Sequence, residues 1–484
     1  MFRSLRQRNL ARGSLLFKRR KTMPSDILSA VLARIDADLD ASLARLFHFL
    51  RIRSISTDPA YKDECIAAAH HVANDLAGIG FDAKVRPTGG HPVVLAKSGG
   101  ARGPSVVFYG HYDVQPVDPV DLWDAPPFEP RVRELADGRK AIVARGASDD
   151  KGQLMTFVEA VRAWKAVTGS LPLSITMMIE GEEECGSKNL PAFVEANRSE
   201  LKADLALVCD TGMWDPATPA ITTSLRGLVY DEVKIHAANR DLHSGLYGGA
   251  AQNPIRVLAK ILAAIHNENG RITIPGFYDG VQELPSDVRK QWQALEPALQ
   301  ALLGKVGLSV PAGEKDRLLI EQLSSRPTCD VNGIIGGYTG EGSKTVIPAE
   351  ASAKVSFRLV EGQDPDTVRK AFRAFVRARL PADCRAEFLS HTGAPAIALD
   401  WTMPQLAAVR RALSEEWGRD TLLVGCGASI PIVADFKRLL GLDTLLVGFA
   451  LDDDRVHSPN EKYDVTSFHK GTRSWARVLA ALAA

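Results

Sequence analysis

The stretch Leu173-Ser174-Ile175-Thr176-Met177-Met178-Ile179-Glu180-Gly181-Glu182-Glu183-Glu184 decides how this chain is read. Its first half is a short apolar run with the length and make-up of a buried strand. Its second half crowds Glu180, Glu182, Glu183 and Glu184 around Gly181. A solvated turn would tolerate these acids, whereas a cleft would make them repel one another. A cation resolves the conflict. Metal-assisted hydrolysis asks for neighbouring carboxylates, one to ligate and one held back from the metal to move protons.

Working outward, three more apolar runs end in metal-competent residues. Ser105 to Tyr109 leads to Gly110-His111-Tyr112-Asp113, and Leu205 to Val208 leads to Cys209-Asp210. Thr444 to Phe449 leads through Asp452, Asp453 and Asp454 to His457. A further piece, Arg145 to Gly152, places Asp149 and Asp150 in front of a helix. In open α/β sheets ligands gather beyond the carboxyl ends of the strands. His111, Asp149, Glu184, Asp210 and His457, with Glu183, are the residue types that two divalent cations sharing one site require. Asp113 could accept a hydrogen bond from the second ring nitrogen of His111. Plainer readings exist for each piece alone: a turn histidine at His111, acids opposing the helix dipole at Asp149 and Asp150, and a surface histidine at His457.

The surrounding pattern predicts an α/β fold with a mostly parallel sheet flanked by helices. Helices are expected from Ser25 towards Leu50, Asp63 to Ile79, Gly152 to Val167 and Leu190 to Ala196, between strands at Val93 to Ala96, Ser105 to Tyr109, Leu173 to Ile179 and Leu205 to Val208. Near Ile221 the style changes. A strand at Val229 to Ala237, a helix at Gln252 to His266, a helix-rich segment from Leu284 to Leu323 and strands at Thr345 to Val360 and Ala386 to Ser390 read as an inserted α+β block. After Asp400 helices and strands alternate again. The expected division is a catalytic domain of residues 23–225 and 396–484, with a lid or dimerisation domain at 226–395.

With 484 residues, two domains are the default for this length. Lys and Arg number 59 against 58 Asp and Glu, so neither a nucleic-acid nor a membrane-surface partner is expected. No apolar stretch approaches the ~20 residues that span a bilayer, and Leu445 to Leu451 suits a buried strand. Cys65, Cys185, Cys209, Cys329, Cys384 and Cys426 are scattered and read as reduced thiols of a cytoplasmic protein. Residues 1–22 hold basic residues and no acid. A transit peptide has that composition, but a disordered basic leader, or Met23 as the true start, is the preferred reading.

Taken together, these segments resemble the di-zinc metallopeptidase family of carnosine dipeptidases, acetylornithine deacetylase and succinyl-diaminopimelate desuccinylase, and most of all its cytosolic nonspecific dipeptidase and carnosinase branch. The likeness rests on Gly110-His111-Tyr112-Asp113-Val114-Gln115-Pro116, Ser148-Asp149-Asp150-Lys151-Gly152, Glu180 to Ser187, Leu225-Arg226-Gly227, Asp241-Leu242-His243-Ser244-Gly245, Lys344-Thr345-Val346-Ile347-Pro348 and His457-Ser458-Pro459-Asn460-Glu461, in the family's order. It implies a zinc-exopeptidase-like catalytic domain. It implies that His111 and Asp210 hold one metal, Glu184 and His457 the other, with Asp149 bridging. Glu183 would be the general base and Asp113 would orient His111. Arg358 would grip the substrate carboxylate, with Thr345 and Ser429 donating further hydrogen bonds. In a homodimer, His243 and Thr345 would complete the partner's site. Asn332 stands where some relatives carry His and bears on substrate preference. Cys185 replaces a frequent Ser and reads as small filler.

The expected activity is hydrolysis of dipeptides or small peptides with a free C-terminal carboxylate, assisted by two divalent ions, zinc first, with manganese or cobalt also suited to the ligands. The alternative within the same machinery is deacylation of N-acyl amino acids. A metal-binding but inactive scaffold, or a dimeric interaction protein, is the reading from a different class. It is disfavoured because the base and all the ligand positions carry competent residues.

Overall fold

The computed structural model describes residues 25–100, 103–427 and 430–484. The basic leader and Ser429 lie outside the described residues. Among these, nine strands form one sheet in the order Asp82–Arg86, Val93–Ser98, Ser174–Glu180, Ser105–His111, Leu205–Val208, Thr444–Leu446, Ala220–Leu225 and Ile397–Ala398, with Leu422–Cys426 pairing to Ala220–Leu225. The middle strands, Ser174–Glu180 through Thr444–Leu446, run parallel. The outer pairings at Asp82–Arg86 with Val93–Ser98 and at Ile397–Ala398 are antiparallel. Parallel neighbours need long crossovers. Helices Lys151–Thr168 and Leu190–Ala196 provide two of them.

Side-chain alternation divides each central strand between two cores. Val106 and Phe108 join Leu154, Phe157, Trp164 and Trp475 on one face. Val107 and Tyr109 join Leu190, Phe193, Ile432 and Phe436 on the other. Both faces are therefore covered, which explains the continuous apolar runs in the sequence. Because the central strands are parallel, their carboxyl ends emerge at a single edge of the sheet. His111 ends one strand, the Glu183–Cys185 turn follows the next, and Asp210 lies just beyond Val208.

A second, four-stranded antiparallel sheet runs Thr328–Gly336, Glu350–Leu359, Gly227–His236, Arg385–Ala394. Helices Pro254–Ala263 and Pro365–Arg377 bury Val257, Leu258, Ile261, Val368, Phe372 and Phe375 against it. Asp364 caps the second helix by accepting from Thr367 N at 2.8 Å. The intervening helix Ser286–Lys305 reaches back to the larger sheet: Trp292 Nε1 donates to Leu423 O at 2.7 Å, and Leu423 N to Gln291 Oε1 at 3.1 Å. Among the described residues, no helix is long and apolar enough to cross a membrane.

Three expectations about elements change. The single first helix is two, Ser25–Ala37 and Leu39–Leu50, because Asp38 leaves helical geometry with ψ 5°. The strand expected over Leu445 to Leu451 stops at Leu446, where the chain runs onto the 209–212 segment. A Cβ at Gly448 would stand 1.9 Å from Thr211 O. The strand expected from Thr345 to Val360 is two: Val346–Ile347 pairs with Leu242–His243, and Glu350–Leu359 joins the smaller sheet. Pro348 lies between them and has no N–H to give either ladder.

Candidate active site

The convergence expected at the strand ends is present. His111, Asp149 and Asp210 place ligand atoms within 4.8 Å of one another, and so do Asp149, Glu184 and His457. Asp149 is common to both groups. Its Oδ1 lies 3.1 Å from His111 Nε2 and its Oδ2 lies 2.9 Å from His457 Nε2. Glu184 Oε2 is 3.2 Å from the same His457 nitrogen. Residues separated by more than three hundred positions thus meet at one carboxylate.

The groups behind these ligands fix their aim. His111 Nδ1 is 3.1 Å from the backbone O of Asp113 and 3.3 Å from its Oδ1. The ring proton therefore belongs on Nδ1, with the carbonyl as acceptor, and Nε2, on the side of Asp149 and Asp210, is the nitrogen left for an ion. Asp113 Oδ2 accepts from Glu184 N at 3.0 Å, so one residue braces a ligand in each group. Gln115 Nε2 donates to Glu184 Oε2 at 2.6 Å. Asp150 stands at the N-cap of helix Lys151–Thr168, yet its carboxylate caps nothing there. It turns inward and accepts from His111 N at 3.1 Å, so the helix-capping reading does not describe its side chain. His457 has φ 62°, and Arg455 and Asn460 also adopt the left-handed region. Such backbone persists only where the surroundings over-determine it. Here Asn460 ties its loop down by accepting from Asp124 N and donating to Leu122 O, each at 2.9 Å.

The electrostatics match a cation site. Burial pushes Asp210 well above the usual carboxylate range, and Asp149, Glu183 and Glu184 push it further. Burial likewise lifts Glu183 to about 7, with Asp149 and Glu184 adding to it and His111 opposing. Asp149 and Glu184 raise His457 to about 10. Burial acts upward on Asp149 too, but His111 and His457 outweigh it and hold that carboxyl low. Four carboxylates crowd two imidazoles. The buried His111 Nε2, although close to Asp149, has no hydrogen-bond partner in line. Imidazole nitrogen and carboxylate oxygen are the donors that zinc and its neighbours accept. The residues present therefore fit two divalent ions, one per group.

The remaining expected residues that the structure describes belong to other elements. His243 is exposed and accepts from Gly245 N at 2.9 Å through Nδ1, capping the turn Ser244–Tyr247. Thr345 is beside it: Ser244 N donates to Thr345 O at 3.0 Å, and His243 pairs with Val346. Asn332 is exposed at a bulge in the edge strand Thr328–Gly336. Arg358 lies on the next strand, Glu350–Leu359. Burial and the nearby Arg358 bring Arg226 down to about 10. Arg226 Nε donates to Gly427 O at 3.3 Å. The motif Leu225-Arg226-Gly227 was legible, but the influence of Arg358 on it was not. Cys185 is exposed, and partial desolvation lifts its thiol to about 11.

An open α/β sheet that gathers imidazoles and carboxylates beyond its strand ends defines a metal-dependent hydrolase. The chain belongs to the peptidase family M20/M25/M40, whose model matches residues 107–481. It is 30% identical over 470 residues to a Cys-Gly metallodipeptidase of Schizosaccharomyces pombe, covering 93% of this chain and 97% of that one. It is 29% identical over 475 residues to the Beta-Ala-His dipeptidase of Homo sapiens, covering 94% and 92%. A solved M20 family metallo-carboxypeptidase from Sulfolobus solfataricus is similar with a TM-score of 0.77 at 30% identity, covering 91% of this chain and 99% of that one. The expected family and fold class are thereby established.

Proposed function

We propose that this chain hydrolyses dipeptides that end in a free carboxylate. The observation that carries the proposal is Asp149, whose two oxygens face His111 on one side and His457 on the other, with Glu183 alongside. His111, Asp149 and Asp210 would hold one divalent ion, and Asp149, Glu184 and His457 the other. Zinc is the proposed metal. Two such ions acidify water and polarise a scissile carbonyl. Glu183 accepts the proton of the attacking water as the C–O bond forms. It returns that proton to the departing amine as the C–N bond breaks. Asp113 steadies His111 and Glu184 while Glu183 works. Arg358 receives the substrate carboxylate, and Thr345, Ser429 and Asn332 give further contacts.

The two curated relatives above are named as dipeptidases and the solved one as a carboxypeptidase. Those names point to peptide substrates, which supports this reading over N-acyl amino acid deacylation. The proposed organisation is a catalytic domain of 23–225 and 396–484 with a lid at 226–395. The proposed assembly is a homodimer in which His243, as oxyanion donor, and Thr345 enter the partner's site. The exposure of both side chains supports this. A cytoplasmic location is proposed from the six free cysteines. The deciding experiment is a panel of dipeptides against N-acetyl amino acids with the zinc-loaded protein. Turnover of the dipeptides is expected, and turnover of the acyl compounds alone rejects the proposal.

A further inference from the structure

Behind Asp149 lies a carboxylate that the chemistry above does not use. Glu461 is fully buried. Its Oε1 accepts from Ser148 N at 2.9 Å and from Asp149 N at 3.0 Å. Its Oε2 accepts from Gly146 N at 3.0 Å and from Arg145 Nη1 at 2.7 Å. Arg145 is as buried as Glu461, and its Nη2 continues to Pro116 O at 2.9 Å. Every strong bond of this carboxylate therefore goes to the segment that carries Asp149. The backbone adds to it, since Ala144 N donates to Glu461 O at 3.1 Å. Glu461 itself stands four residues after His457, at the far end of the loop whose left-handed residues aim that imidazole.

We propose that Glu461 is a positioning residue, which sets Asp149 between the two ion sites and locks the loop of His457 to it. The inference rests on the two-ion reading given above. A carboxylate fits this task because three backbone N–H groups and a guanidinium converge on two oxygens, each accepting in its own direction. A neutral amide of the same shape would turn an NH2 towards one pair of these donors. Since Asp149 serves both ions, displacing its backbone should weaken both together. A residue supporting one ligand would weaken one.

The test titrates zinc into metal-stripped protein against a chromophoric chelator and records the visible absorption of the cobalt-substituted form. Wild type should bind two ions. Uptake of none overturns the two-ion reading and this inference with it. Glu461→Gln should bind both ions about 10- to 100-fold more weakly, the usual effect of removing a group that orients a ligand, with altered cobalt bands. Glu461→Asp keeps the charge for Arg145 but shortens the arm, and should show the same joint loss if Glu461→Gln does not fold. The control is Asp231→Asn in the smaller sheet, where Asp231 is equally buried and takes Arg373 at 2.7 and 2.8 Å. It should lower the melting temperature and leave zinc affinity and cobalt spectrum unchanged. Wild-type affinities in a folded Glu461 variant, loss at one site only, or an equal loss in Asp231→Asn overturns the proposal. So does failure of both Glu461 variants to fold, which would make the residue a folding determinant.

Discussion

At the scale of single residues, the site separates ligands from the groups that move protons. Glu183→Gln keeps the size of the side chain and removes its basicity. Metal content should stay at the wild-type level while kcat on a dipeptide falls about 100- to 10,000-fold, the range for a lost general base. Substantial residual turnover would assign the base elsewhere. The buried pair of Arg145 with Glu461 makes a different prediction. Arg145→Met leaves a buried carboxylate without its cation, and should cost about 3–5 kcal/mol in unfolding free energy. Denaturant melts measure this, and a loss well under 1 kcal/mol would show the pair to be dispensable. A neighbour in the same region predicts a pH effect. Burial lifts Asp454 to about 6 against the pull of Lys462. Its folded value is above its unfolded one, so its contribution to stability is complete below about pH 4 and lost as pH rises through about 6. Asp454→Asn abolishes that titration. Its stability relative to wild type should therefore rise across this window, by at most about 3 kcal/mol. A difference that stays flat between about pH 4 and 7 rejects the assignment.

At the scale of elements, helix Lys151–Thr168 and the segment before it are packed to contact. A Cβ on Gly152 would stand 1.9 Å from Ala147 O and 2.9 Å from the Tyr463 ring. Gly152→Ala should push the helix off the Asp149 segment, costing about 1–3 kcal/mol as an overpacked site. It should also weaken zinc uptake, which a melt and a chelator titration would register. Elements were legible where burial imposed a pattern. The strands Ser105–His111 and Ser174–Glu180 have apolar residues on both faces and were read within a residue or two. The edge strand Thr328–Gly336 was not, because its outer residues Val331, Ile334 and Ile335 are exposed and its bulge carries Asn332 and Gly333. The hairpin Arg131–Glu134 with Lys140–Val143 escaped for the same reason, being short and charged on its first strand.

At the scale of the whole molecule, the smaller sheet ends in an apolar edge. Ile334 is 61% and Ile335 62% exposed on it, an unusual display for a free strand. In the proposed homodimer a partner covers this edge and lends His243 and Thr345. Ile334→Glu with Ile335→Glu should yield monomers by sedimentation, with zinc content intact and dipeptide turnover lost. Full turnover by a monomer would reject the shared site.

The sequence alone nominated the candidate ligands. Apolar runs must become buried strands, buried parallel strands share one open edge, and the residues after those runs are imidazoles and carboxylates. What only the tertiary structure decided is which groups brace them: Glu461 under Asp149, and the carbonyl of Asp113 on His111. Those pairings depend on distances between loops that sequence order does not constrain, because a buried polar atom takes whichever partner the packed chain brings within reach.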